Sequence, residues 1–366
     1  MRSGRTSRKP RAWPLMPVLL ILIAALMALA ACAPTAGQPS ATMARGPATG
    51  AASNAANACA TASTSSPSTL LGPANPARVL TISLVLKGRS AGLDATLAAL
   101  NDPKSPDYHH FLSPQEYAAR FGADSATVAS VVATLRANGL RVPTARAIAG
   151  LLVAQGTVGR LNALFGVRLD DYCDTHGQRY VAPNVAPHIP ASLPGVAGVL
   201  GLDTRSVMHT GSMLQPRRPL VSGVAGYGPV ELERAYDLAP LHRAGLDGAG
   251  QAVALPEIDQ FRQSDTQSYD QTFGLHTGSI TVTPVAGGAT SFSPEPVLDI
   301  EVIHAIAPAA HIDVYESESD LSSVAQMFSQ IVSDNHAKVI SISLGACEKG
   351  LDPSMAQSFY ASIDSS

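Results

Sequence analysis

Glu295 and Asp299 are the residues in this sequence whose type and spacing best suit acid–base chemistry. They sit in Ser293-Pro-Glu-Pro-Val-Leu-Asp-Ile-Glu-Val-Ile-His304, which reads as the opening of a helix near 296–307. A four-residue step places both carboxylates on one helix face. Two carboxylates that close share a proton, which raises one pKa. Such a pair works in acid, where a histidine base would be protonated. A helix N-terminus also favours carboxylates through its dipole without any catalysis, and spacing alone points that way.

Other polar residues carry weaker signals. Glu257 and Asp259 end an apolar strand, where ligand sites of α/β folds gather, but nothing in their spacing makes them catalytic. Glu301 faces elsewhere on the helix and reads as structural. His304, on the same helix, reads as a packing or surface histidine. There is no HExxH and no clustered metal-ligand spacing, so no metal or other cofactor is expected. Gly88-Arg-Ser90-Ala-Gly92 matches GxSxG between a strand and a helix, the setting of a nucleophile elbow. The helix it opens is short and no HGGG-type oxyanion motif exists, so a polar turn is the better reading and Ser90 the weaker nucleophile candidate.

Composition excludes several classes. The chain has 366 residues, 46% hydrophobic and 14% charged, with a net charge of −3. It is neither a coiled coil nor a highly charged disordered chain, and it is not a nucleic-acid binder. Four cysteines without a CxxC pair exclude a disulfide-dense scaffold and a zinc ribbon. The charge is unevenly spread: residues 78–205 carry +3 and residues 231–366 carry −14. Two such blocks attract each other at neutral pH and lose that attraction in acid.

The N-terminus reads as an export signal over residues 1–31. Arg2, Arg5, Arg8, Lys9 and Arg11 precede the apolar run LMPVLLILIAALMALAA. The run ends in Leu29-Ala30-Ala31-Cys32, which resembles a bacterial lipobox and implies lipidation of Cys32. The expected location is outside the cytoplasm, as a membrane-anchored lipoprotein, periplasmic or extracellular. Residues 32–77 are rich in Ala, Ser, Thr and Pro and read as a tether.

Residues 78–205 alternate strands and helices. Strand candidates are 79–86, 141–155 and 167–182; helices are expected at 93–100, from Ser113-Pro-Gln-Glu116, at 126–138 and at 157–165. The pattern suggests a ferredoxin-like α+β sandwich. Residues 206–228, with Arg217-Arg218 and no acid, read as an exposed junction where processing would fall. Residues 229–366 carry apolar strands at 251–258, 279–285, 311–315 and 339–344, with helices near 296–307, at 320–334 and from 353. That is a doubly wound parallel sheet.

Two stretches resemble the sedolisin (kumamolisin-like, serine-carboxyl peptidase) family. The run from Leu100 to Gly122, with Pro103, Ser105-Pro106, Tyr108, Phe111-Leu112-Ser113, Glu116-Tyr117 and then Gly139-Leu140, is similar to the family's activation prodomain. Tyr227 to Tyr236 resembles the start of its catalytic domains. Glu295, Asp299, Ile300, Glu301, Ala305, Ala307, Pro308 and Ala310 fit its signature E-x-x-x-D-I-E…A-x-A-P-x-A. The resemblance implies an acid-active endopeptidase precursor acting on proteins or peptides. Its prodomain, 78–205, would inhibit and assist folding of an incomplete subtilisin-like domain, 229–366. Glu295 would be the base for a serine nucleophile and Asp299 its partner. Neither the serine setting G-T-S-x-x-x-P nor the oxyanion setting G-D-x-G occurs in the sequence, so the chain is expected to be inactive, truncated before its nucleophile. The family's calcium site would fall in the missing part. Cys347 could have lost its partner, with Cys173 and Cys59 as alternatives. The rival reading is a non-catalytic lipoprotein, a binding or inhibitory module with a vestigial peptidase tail.

Overall fold

A computed structural model describes residues 68–346, except 145–146, 148–149, 175–176, 206–207, 211–218, 222–223 and 226. It also describes Cys59, Ala356, Gln357 and Phe359. The signal segment, Cys32, Arg217-Arg218 and Cys347 lie outside the described residues. Among those described, no helix is long and apolar enough to cross a membrane.

The first half is an α+β domain. Strands β1 (Ser68–Pro73) and β2 (Val79–Leu86) lead into helices α1 (Leu93–Asn101), α2 (Pro114–Phe121) and α3 (Ser125–Ala137). Then follow β3 (Leu151–Thr157), α4 (Val158–Phe165), β4 (Leu169–Asp174), β5 (Arg179–Pro183) and β6 (Val196–Leu200). The strands form two antiparallel three-stranded sheets, β3-β2-β6 and β1-β4-β5. Alternation places Ile82, Leu84 and Leu86 of β2 in a core with Leu135, Leu152, Leu161 and Phe165.

Local chemistry explains the helix ends. Ser113 caps α2, accepting from the Glu116 amide at 3.2 Å while Glu116 accepts from the Ser113 amide at 2.8 Å. Asp124 caps α3, its side chain accepting from the Ala126 and Thr127 amides. Gly166, at φ 65°, closes α4 in the left-handed region. The GxSxG segment is a turn: Ser90 is exposed and Gly92 has φ 81°. Arg89 caps the end of α2, donating to the carbonyls of Ala118, Ala119 and Gly122.

Two features differ from the sequence reading. Strand β1 lies inside the stretch whose composition reads as tether, held by pairing with β4. Cys59, also in that stretch, is disulfide-bonded to Cys173 on β4, so the partner of Cys173 is Cys59.

Short strands β7 (His209–Thr210), β8 (Pro219–Val221) and β9 (Val224–Ala225) lead to the second half. It comprises α5 (Pro229–Ala235), α6 (Ala239–Arg243), β10 (Ala252–Glu257), α7 (Gln263–Phe273), β11 (Ile280–Pro284), α8 (Glu295–Ile306), β12 (His311–Glu316), α9 (Leu321–Asp334), β13 (Val339–Ile340) and β14 (Leu344–Gly345). Helices α5 to α7 are absent from the sequence reading, because their few apolar residues give no clear helical period. The sheet is parallel, in the order β11-β12-β10-β13. Ile312 and Val314 pack on Ile300 of α8, whereas Ala254 and Tyr315 pack towards α9. Helices therefore cover both faces, and the strands read as continuous apolar runs.

The two halves share a core. Val85, Leu151 and Leu200 of the first half cluster with Val324, Ala325 and Met327 of α9. β14 also pairs with β7. The centre of this contact is apolar, not the meeting of opposite charges that the block charges suggest.

Candidate active site

Glu295 is the first residue of α8, and Asp299 follows one turn later on the same face. Register sets the third member. Glu257 ends β10 and pairs with Glu316 at the end of β12, so it stands at the carboxyl edge of the parallel sheet. A loop returns from β11 to start α8 over that edge. Oxygens of Glu257, Glu295 and Asp299 all lie within 4.8 Å of one another.

The surroundings are dry. Glu257 is 1% and Glu295 2% exposed, with Asp299 half-buried. Among the described residues, no donor satisfies either oxygen of Glu257, one oxygen of Glu295 or one of Asp299. Carboxylates left this way are neutralised by protons or by a cation. Burial, then the charges of Glu295 and Asp299, push the Glu257 carboxyl far above its ordinary range. Burial, then the charge of Asp299, raise Glu295 as well. Of the two, Glu257 is the more strongly raised, and its closeness to Glu295 raises Glu257 while lowering Glu295. Burial raises Asp299, while the Ser343 hydroxyl beside it pulls it down.

Sequence reasoning thus placed Glu295 and Asp299, which the structure brings together. It left Glu257 unassigned and missed Ser343. The end-of-strand position was the available signal for Glu257; nothing in Val339-Ile-Ser-Ile-Ser-Leu344 marked Ser343. Asp259 stands further out, accepting a bond from Ser291. Glu301 faces α7, where burial and the charges of Asp270 and Asp265 raise it to about 7. His304 is 1% exposed and its Nδ1 pairs with Asp270 at 2.9 Å, so it belongs to the α7–α8 contact.

Comparison with known proteins places this geometry in a context. The family model "Pro-kumamolisin, activation domain" matches residues 66–205. The chain is 28% identical to kumamolisin of Bacillus sp. (strain MN-32) over 306 residues, covering 77% of this chain and 53% of that protein. It is 28% identical to sedolisin of Pseudomonas sp. (strain 101), covering 74% and 48%. It is also 28% identical to xanthomonalisin of Xanthomonas sp. (strain T-22), covering 76% and 36%. Over these stretches the chain is similar to sedolisin-family proenzymes. It spans about half the length, or less, of these sedolisin-type relatives. A solved structure of Pseudomonas sedolisin, a serine-carboxyl proteinase complexed with two molecules of pseudo-iodotyrostatin, matches with 26% identity and a TM-score of 0.31. That match covers 38% of this chain and 39% of the solved one. The matched activation domain begins at residue 66, which accommodates β1 within the prodomain.

Proposed function

We propose that this chain is the precursor part of an exported, acid-active serine-carboxyl endopeptidase, anchored through lipidated Cys32, whose prodomain inhibits and assists folding of the following domain. The observation that carries the reading is the buried Glu257–Glu295–Asp299 cluster at the carboxyl edge of the sheet. Glu295 in its ionised form takes the proton of a serine hydroxyl as that oxygen attacks a peptide carbonyl. Neutral Glu257 lies beside Glu295 and orients it. Asp299, held by Ser343, supports the charge that Glu295 passes through. Burial pushes the Glu295 carboxyl up to about 7 here, so work as an ionised base in acid requires the completed site to bring it back towards the ordinary carboxylate range, below imidazole. The Cys59–Cys173 disulfide suits an oxidising compartment and so supports export.

The serine and the oxyanion acid of the family lie in settings that the 366 residues do not contain. Sequencing the gene through and beyond the codon for Ser366 tests the reading. Continuation into G-D-x-G and G-T-S-x-x-x-P segments supports a peptidase with Glu295 and Asp299 in its triad. A stop codon there moves the non-catalytic binding module ahead. Inhibition of a kumamolisin-type peptidase by the purified chain reports on the prodomain separately.

A further inference from the structure

A second cluster of titratable side chains lies far from the carboxylates. His311 and Asp313 stand two residues apart on β12, so both project from one face of the sheet. That face looks towards α9, and α9 ends in Asn335 at φ 49°. This left-handed residue turns the chain back and delivers His336 to the same spot. His311 Nε2 lies 2.8 Å from one oxygen of Asp313, and His336 Nδ1 contacts the other. One ligand atom from each of the three residues falls within a 4.8 Å span. His311 pairs in register with Ala252 at the start of β10, five positions from Glu257. The two clusters are thus separated by roughly 16 Å along the strands.

We propose that His311, Asp313 and His336 form a site for a divalent transition-metal ion of the zinc class. Two imidazoles and one carboxylate suit such ions, whereas calcium and magnesium call for oxygen ligands. Three protein ligands leave a fourth tetrahedral position open to water. Zinc bonds of about 2 Å separate neighbouring ligand atoms by about 3.3 Å. Small side-chain rotations open the observed spacing that far. Without metal, each imidazole satisfies Asp313 by donating an N–H. With metal, those nitrogens must present lone pairs, so the ring protons must sit on the opposite nitrogens. The surroundings permit this for both rings. His311 Nδ1 lies 2.7 Å from Ser279 Oγ, a hydroxyl that can accept as well as donate. His336 is exposed and its Nε2–H can face water. Asp313 is only 6% exposed and anchors the site from the sheet. Metal here would tie the exit of α9 to the sheet, independently of the carboxylate chemistry at the other end.

The test uses the full, untagged, disulfide-oxidised chain, stripped with chelator and titrated with cobalt chloride, then zinc chloride. One equivalent of cobalt should give visible d–d absorption of a tetrahedral centre, and zinc should displace it. His336→Ala, at an exposed position, should abolish the band while leaving the circular dichroism unchanged. Ser279→Ala should weaken binding by about 10-fold or more through loss of the supporting partner. Glu295→Gln should leave binding intact. Absence of saturable cobalt binding, or a band that survives His336→Ala, overturns the proposal.

Discussion

Ser83 Oγ on β2 and Ser322 Oγ on α9 lie 3.0 Å apart in a buried hydrogen bond that joins the two halves of the molecule. The sequence separation is 239 residues. Gln326 Nε2 also reaches Ser322 Oγ, at 3.3 Å. Ser322→Ala therefore strands the Ser83 hydroxyl, whereas Ser83→Ala leaves Ser322 with a partner. Ser322→Ala should destabilise by about 1–2 kcal/mol and Ser83→Ala by less. The double alanine variant should recover part of the loss. Urea unfolding of the three variants measures this, and additive losses would show that the contact carries no coupling.

Gly201 sits beside the same contact. Its φ of 90° is left-handed, and a Cβ there would meet the Thr81 carbonyl at 2.5 Å and the Ser322 hydroxyl at 3.2 Å. Backbone cannot yield as a flexible side chain does. Gly201→Ala should cost more than about 1 kcal/mol. An unchanged urea midpoint would show that the strands shift without penalty.

The carboxylate cluster sets a pH dependence. Glu257 has a folded pKa above its unfolded value, so the native state keeps a proton that the unfolded chain releases. Stability is then greatest in acid and falls as pH rises above about 4.5, the unfolded value. Glu257→Gln removes the titration and keeps the shape. Its melting temperature should exceed that of the wild type by about 4 °C at pH 8 and match it at pH 4. Equal differences at both pH values would contradict a buried, protonated Glu257.

The purified 366-residue chain should release no fragments from a denatured protein substrate between pH 3 and 7. Proteolysis that Glu295→Gln abolishes would mean that a serine within the chain serves as nucleophile, and Ser90→Ala would then be the next variant.

The Cys59–Cys173 bridge spans 114 residues. Cross-links of that span constrain the unfolded chain strongly, and reduction should lower stability by about 2–5 kcal/mol. Guanidinium unfolding with and without reductant reports it, with Cys173→Ser as the control.

Edge strand β13 leaves Val339 54%, Ile340 42% and Ile342, just beyond it, 52% exposed, so an apolar edge faces outward. Open apolar edges template pairing with other chains. Ile342→Lys should reduce concentration-dependent self-association in light scattering.

By itself the sequence determined the elements with strong local signals. The alternation in Val79–Leu86, the cap at Ser113 and the apolar runs of β10 and β12 each depend on neighbours a few residues away. So does the pairing of Glu295 with Asp299, because four residues along a helix are close wherever the helix goes. Only tertiary structure decided what joined them. Glu257 reaches the pair through the register of β10 in the sheet, and Ser343 through the path taken after β13. β1 belongs to the prodomain because β4 supplies its hydrogen bonds, which the composition of residues 32–77 does not reveal. His336 meets His311 and Asp313 because Asn335 reverses the chain after α9. Contacts of this kind depend on register, on helix length and on a single left-handed residue acting together, and no local window of sequence contains all three.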